Sequence, residues 1–419
     1  MLARALAAVV PLLAVTLLPP APAVARAADT PAPRAAGDTR AAGDMRAAGD
    51  MRAAGDMRAA GDMRAAGDMR AGLGDTRAAG AVAQARAAAD AAGFEARFQA
   101  KNDWTWSGGD QVTSLRATNG LTYWSFGDTI IGEEDPATGA YRPGWEFLPN
   151  TILVQRGDGW DATTFRNAVP DAADGDRYWT QGMFQAGGFL YVLCQRVRNT
   201  DTYFQLRGAE LAKFAFNADG TLAFRGMFAT PSTGKLDGDS AATAQFSMDA
   251  VVSGAYVYVF GFANAPGDAF APHRSYVARV PVRSVENSGA WRFRDAAGAW
   301  QPDMALAEPI LKAQISSVRV IGGRWVLAYK PWNGWGDTVY VETRSQPWGS
   351  PLGTTTISSP AGTTAGGQRY VTYSPQLHPE QALDSGRLLV SIAWNGADLS
   401  DTANDADLYK PRFYEVTLP

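Results

Sequence analysis

The sequence has 419 residues, with 38 basic against 42 acidic side chains and a net charge of −4. No basic block stands ready to hold a phosphate backbone, which excludes nucleic acid as a partner, and a single cysteine, Cys194, excludes an intrachain disulfide. Two histidines are too few for a convincing zinc site or serine triad, and no phosphate loop, Gly-x-Ser-x-Gly or His-Glu-x-x-His motif occurs, so neither metal nor cofactor is expected.

Along the chain, Arg4 precedes an apolar run from Leu6 to Leu18, and Ala25-Arg26-Ala27 gives the small-x-small pattern of a cleavage site. Residues 1–27 therefore read as a signal peptide, and the mature protein as secreted. That run is too short to cross a bilayer, and no later stretch reaches about 18 to 20 apolar residues, so the protein is not expected to span a membrane. From Arg34 the hexamer Arg-Ala-Ala-Gly-Asp-Thr appears, and it recurs with Met in the last place from Arg40, Arg46, Arg52, Arg58 and Arg64. Its side chains cannot fill a solenoid core, so residues 28–90 read as a disordered linker, with a helical turn or two expected within 81–97. The folded domain is expected over 98–419.

Within that domain one pattern occurs five times: a glycine-containing turn followed by an apolar strand. The turns are Asn119-Gly120, Gly187-Gly188, Ser253-Gly254, Gly322-Gly323 and Ser385-Gly386, and the glycines in their second positions stand 68, 66, 69 and 63 residues apart. Each interval holds a four-stranded antiparallel blade. Further strands are expected at Thr151 to Gln155, Glu210 to Phe216, Tyr276 to Val282, Thr338 to Thr343 and Arg412 to Leu418. The fold class is thus all-β, a five-bladed β-propeller; a large sandwich competes, but sandwiches rarely repeat one hairpin at near-constant spacing.

In such a ring the start of the first strand and the end of the second meet at one mouth, so residues flanking the five hairpins converge. In the first blade Asp110 and Asp128 each lie nine residues from Asn119. A three-residue turn makes them direct cross-strand neighbours, whereas a two-residue turn aims them at opposite faces. Two carboxylates at one mouth suit glycosidic cleavage, one protonating the leaving oxygen while the other acts as nucleophile or activates water. They equally suit turn capping. The same rim collects Gln181 and Gln195, Asp249, Ser316, Lys330, Trp332, His378, Trp394 and Asn395. Asp249 interrupts an apolar strand, so it must be paired, solvated or catalytic. His378 is as readily a structural imidazole, and His273 is expected to be solvated. The loop with Asp398, Asp401, Asp405 and Asp407 lacks calcium-loop spacing and reads as a surface turn.

The segments Trp106-Ser-Gly-Gly-Asp110, Trp124-Ser-Phe-Gly-Asp-Thr129, Asn150-Thr-Ile-Leu-Val154, Tyr276-Val-Ala-Arg-Val-Pro281, Tyr373-Ser-Pro-Gln-Leu-His-Pro379, Leu389-Val-Ser-Ile-Ala-Trp-Asn395 and Tyr409-Lys-Pro-Arg-Phe413 carry a resemblance. They resemble exported bacterial five-bladed propellers of largely unknown function, related to endo-D-arabinanases. The resemblance implies a funnel with acidic residues at Asp110 and Asp128, and more weakly at Asp249; Gln181 stands where an acid would be expected.

The reading is a secreted, monomeric glycoside hydrolase that binds a polysaccharide or oligosaccharide and cuts a furanose-rich chain such as arabinan. Asp110 and Asp128 form the carboxylate pair and Asp249 orients or tunes them. Trp104, Trp106 and Trp394 supply stacking surfaces, and Asn150, Gln181, Lys330, Trp332, His378 and Asn395 bind substrate. The alternative is a propeller that binds carbohydrate without turning it over.

Overall fold

A computed structural model describes residues 90–199, 204–234, 243–263, 273–331 and 336–419. The signal peptide, the hexamer repeat and Trp332 lie outside the described residues, and with them the readings placed there.

Strands dominate. Five antiparallel sheets follow one another along the chain, each built on an inner strand and the strand after it, the fifth with a short strand, Gly362–Thr363, added before them. The inner strands are Thr113–Arg116, Arg177–Ala186, Gln245–Ser253, Gln314–Ile321 and Arg369–His378, belonging to what are here sheets 1 to 5. A short sixth sheet, Gly108–Gly109 with Thr129–Ile131 and Glu146–Leu148, extends the entry of sheet 1. Outer strands form at Thr151–Arg156, Phe204–Phe216, Arg274–Pro281, Thr338–Arg344 and Arg412–Val416, within a few residues of where the apolar pattern put them.

Turn chemistry accounts for the hairpins. Gly187-Gly188 and Gly322-Gly323 take positive φ at both central positions (56° and 81°, 58° and 78°), as a two-residue turn that matches strand twist requires. In sheet 1 Ala117 and Leu121 close a three-residue loop over Thr118, Asn119 and Gly120, which fixes the register Ser114 to Trp124 and Thr113 to Ser125. The fifth connection departs from expectation. Pairing stops at His378 opposite Leu389, so the turn that the Gly386 amide closes on the Leu383 carbonyl at 3.0 Å sits inside a longer loop and does not join the strands directly. Pro379 has no N–H for the ladder, and it ends the strand there.

Apolar clusters fill the junctions between sheets. One joins sheets 1 and 2 through Tyr123, Ile152, Met183 and Leu190; the next joins 2 and 3 through Phe184, Leu193, Phe246 and Val259. Others join 3 to 4 through Phe260, Val277 and Leu327, and 4 to 5 through Val326, Val341, Val390 and Ile392. Sheet 5 meets sheet 1 through a helix, α1 (Ala91–Ala100), whose Phe94 and Phe98 pack on Trp106, Trp124, Phe126, Leu389 and Phe413. Asp90 caps this helix by accepting from the Gly93 amide at 2.7 Å. The packed unit therefore starts before residue 98. The architecture is all-β and β-propeller-like.

Neighbouring inner strands run in step. Asp110 meets Tyr373, Gln111 meets Ser374 and Ser114 meets His378 across sheets 1 and 5, while Asp249 meets Ser317 across sheets 3 and 4. Strand entries therefore gather at one end.

Candidate functional site

At that end the chain breaks its own ladder in every sheet. Register shifts fall between Thr180 and Met183, Gln245 and Asp249, Ile315 and Ser317, and Tyr373 and Gln376. In sheet 1, Gly127 donates to the Asp110 carbonyl while the Asp110 amide donates to Asp128, so two residues oppose one. Such bulges re-aim side chains. Gln111 and Ser374 sit at φ 54° and 51°, left-handed values that cost energy for residues with a side chain, and the Ser374 hydroxyl donates to Gln111 Oε1 at 2.5 Å.

Asp110 lies at the centre of this rim. The three-residue loop brings it across from Asp128, whose carbonyl accepts from the Asp110 amide at 3.1 Å, while the Asp110 carbonyl accepts from Gly127. Each carboxylate accepts from a side chain of another sheet: Tyr373 donates its hydroxyl to Asp110 Oδ2 at 2.6 Å, and the Trp179 indole donates to Asp128 Oδ1 at 2.8 Å. Tyr373 is held in turn by the Asn395 amide at 3.1 Å, and Asn395 accepts from Thr402 at 3.2 Å. The other Asp110 oxygen has no partner among the described residues. Burial pushes the Asp110 pKa up to about 7, against the opposing pull of Tyr373 and Tyr409. Both aspartates act electrostatically on those two tyrosines. A Cβ at Gly127 would stand 2.5 Å from Asp110 Oδ1, so that glycine makes room for the carboxyl.

A polar carboxyl that is neutral near pH 7, oriented by a phenol and set opposite a second acid, can deliver a proton to a leaving oxygen. A sequence profile for a family described only as a domain of unknown function, DUF5005, matches residues 93–417. The chain belongs to the DUF5005 family. No curated protein sequence matches it. Among solved structures this DUF5005 chain is similar to a Bacteroides ovatus protein named as a candidate hydrolase. The two are 21% identical with a TM-score of 0.57, over 77% of this chain and 88% of that one, which is a likeness of fold. A Xanthomonas citri GH43_1 enzyme complexed with xylotriose (14% identity, TM-score 0.42, 74% and 88% covered) is more distant. So is an α-L-arabinofuranosidase from Lactobacillus brevis (11%, 0.41, 77% and 94%).

The other residues singled out from the sequence separate into rim and interior. Trp394 stays half-buried at the rim, stacked on Tyr370 at 4.3 Å with the Arg412 guanidinium 5.0 Å over it, and Trp104 is 43% exposed. Trp106 is fully buried against Phe98 and Phe126, so it offers no face to a ligand. Asn150 is fully buried, bonding Val169 and Tyr178 backbones. Lys330 is sealed off, its ammonium donating to Ser359 O and to both oxygens of Thr372 at 2.8 to 3.0 Å, and burial lowers its pKa to about 7.

Asp249 lies beneath the rim with no exposed surface. Its Oδ1 accepts from the Ala250 amide and its Oδ2 from Ser317, the Val318 amide and Arg319 Nη1, the last at 2.6 Å. Oδ2 is saturated and the whole side chain is sealed from solvent, so Asp249 cannot touch a substrate. Burial raises its pKa, and Arg319 and the Val318 amide work against that rise. Arg319 also faces Glu380 and His378, and His378 is buried with Ser114 on Nδ1 at 2.5 Å and Ser391 on Nε2 at 2.8 Å. His273 corrects the expectation of a solvated ring. It packs on Phe262 at 4.6 Å and bonds Gln314 at 2.5 Å, and burial lowers its pKa to about 4. In the acidic loop, Asp398 caps a short helix, α2 (Leu399–Asn404), and pairs with Arg369, while Asp405 caps the next turn.

Sequence reasoning missed Tyr373, Tyr409, Trp179, Arg319 and Glu380. It also missed a regular signal. Gln111, Gln181, Gln245, Gln314 and Gln376 precede the five hairpin glycines by seven to ten residues, one at the bulge or entry of each inner strand.

Proposed function

We propose that this DUF5005 protein is a secreted, monomeric glycoside hydrolase built as a five-bladed β-propeller, which cleaves a furanose-rich polysaccharide such as arabinan. The leader at residues 1–27 exports it and the repeat at 28–90 tethers the domain. Asp110 acts as the general acid and Asp128 as its ionised partner. Trp179, Trp394 and Trp104 offer stacking faces around them, Gln181 and Asn395 meet substrate hydroxyls, and Asp249 supports the site from below through Arg319.

One observation carries this reading: Asp110 keeps one oxygen without a hydrogen-bond partner among the described residues while Tyr373 fixes the other, and its pKa of about 7 leaves a proton to give at neutral pH. Arabinan, xylan and galactan incubated with the secreted protein test it. Arabinan should release reducing ends, and Asp110→Asn and Asp128→Asn should each lower the rate by about 10²- to 10⁴-fold. Unchanged turnover in Asp110→Asn removes the acid from its role. Saccharide binding that survives both substitutions, with no product from any glycan, makes the protein a binding module instead.

A further inference from the structure

The glutamines of the five inner strands are not used alike. In sheets 4, 5 and 1 they tie strands together: Gln314 Oε1 bonds His273, Gln376 donates to the Ser316 carbonyl at 3.2 Å, and Gln111 accepts from Ser374. In sheets 2 and 3 they are left open. Among the described residues Gln181, 1% exposed, has neither its amide oxygen nor its amide nitrogen paired, and Gln245, 5% exposed, has no partner for Oε1. Asp110 Oδ1 on sheet 1 is the third such group.

These groups lie on three consecutive inner strands at the mouth end. Gln181 shares the bulge with Gly182, which packs against Asp249 and Met248 of sheet 3. Two residues earlier, Trp179 reaches Asp128 of sheet 1. A buried amide without a partner destabilises the fold, and folded proteins rarely leave one so unless water or a ligand completes it. Here the orphans are two amide oxygens, one amide nitrogen with its two N–H groups, and the Asp110 oxygen free to carry the proton. A ligand that satisfies them must bring groups that both donate and accept, as sugar hydroxyls do. A carboxylate, sulfate or phosphate brings acceptors alone and would leave both amide oxygens unpaired.

We infer that Asp110, Gln181 and Gln245 form a hydroxyl-reading arc that selects an uncharged, polyhydroxylated sugar and rejects acidic ones. The arc rests on the proposed site and narrows its substrate class. Its test does not depend on turnover. Gln181→Met and Gln245→Met replace each amide by an apolar chain of equal length, removing the orphan atoms. Without ligand each variant should melt higher than the parent, by about 2–4 °C. Titration with a neutral arabino-oligosaccharide should show about tenfold weaker binding for each variant. The parent should prefer that ligand at least tenfold over an oligogalacturonide of equal length.

Variants that melt lower and bind unchanged overturn the arc, because the amides would then be structural. A parent that prefers the uronide, or binds no neutral saccharide, overturns it too. The two readings fail separately: absent hydrolysis with glutamine-dependent binding removes the enzyme and keeps the arc, whereas Asp110-dependent hydrolysis indifferent to Gln181→Met does the reverse.

Discussion

At the scale of single residues, the carboxyl of Asp110 stores a dependence on pH. Its ordinary pKa is about 3.9, and in the fold burial raises it to about 7. Below pH 4 both folded and unfolded chains hold the proton and the group contributes nothing to stability. Between about 4 and 7 the unfolded chain gives up its proton while the folded one keeps it, so stability falls as pH rises, and above 7 the loss is complete. At 1.36 kcal/mol per unit that loss amounts to at most about 4 kcal/mol. Asp110→Asn still accepts from Tyr373 but cannot ionise. Melting curves should therefore show the variant more stable than the parent at pH 8, with the gap closing by pH 4. An equal gap at both values would mean that burial does not hold the proton on Asp110.

Among the elements, α1 does work that its sequence only hinted at. Phe98 sits within 4.8 to 5.6 Å, ring centre to ring centre, of Trp106, Trp124, Trp160 and Phe413, so the helix plugs the seam where the last sheet meets the first. Ala-rich spacing announced a helical turn, yet nothing local said that its two phenylalanines would be buried by strands three hundred residues away. Phe98→Ala removes a buried ring from a site that cannot collapse, and urea unfolding should register a loss of about 3–5 kcal/mol. A loss below about 1 kcal/mol would show that the seam closes without the helix. The fifth connection teaches the converse. Ser385-Gly386 looked like a hairpin because its composition matched the other four, but Pro379 had already ended the strand, and the longer loop it left brings Glu380 against Ser114.

Across the whole molecule, Arg319 ties inner strands that lie far apart in the chain. It pairs with Asp249 at 2.6 Å, reaches the Ser114 carbonyl at 3.5 Å and faces Glu380, so sheets 1, 3, 4 and 5 meet at one side chain. Removing either partner of so buried a pair leaves an uncompensated charge. Asp249→Asn or Arg319→Met alone should cost about 3–5 kcal/mol in chemical unfolding, while the double variant should cost less than the sum. Strict additivity would deny the pair its role in joining the ring.

Four of the five hairpins and the strands behind all five turns were legible in the sequence because turn chemistry and apolar alternation are local. Asp110 and Asp128 were legible too, as symmetric flanks of one loop, and the loop length decided between the two registers. Which polar groups are satisfied was not legible. Asp110 meets Tyr373 across 263 residues of chain, Asp249 meets Arg319 across 70, and the Gln181 amide finds no hydrogen-bond partner among the described residues. Local pattern determines where strands and turns form. Only the closed arrangement of sheets decides which buried carboxylates and amides find partners, because hydrogen bonding and desolvation depend on neighbours that the chain itself does not place nearby.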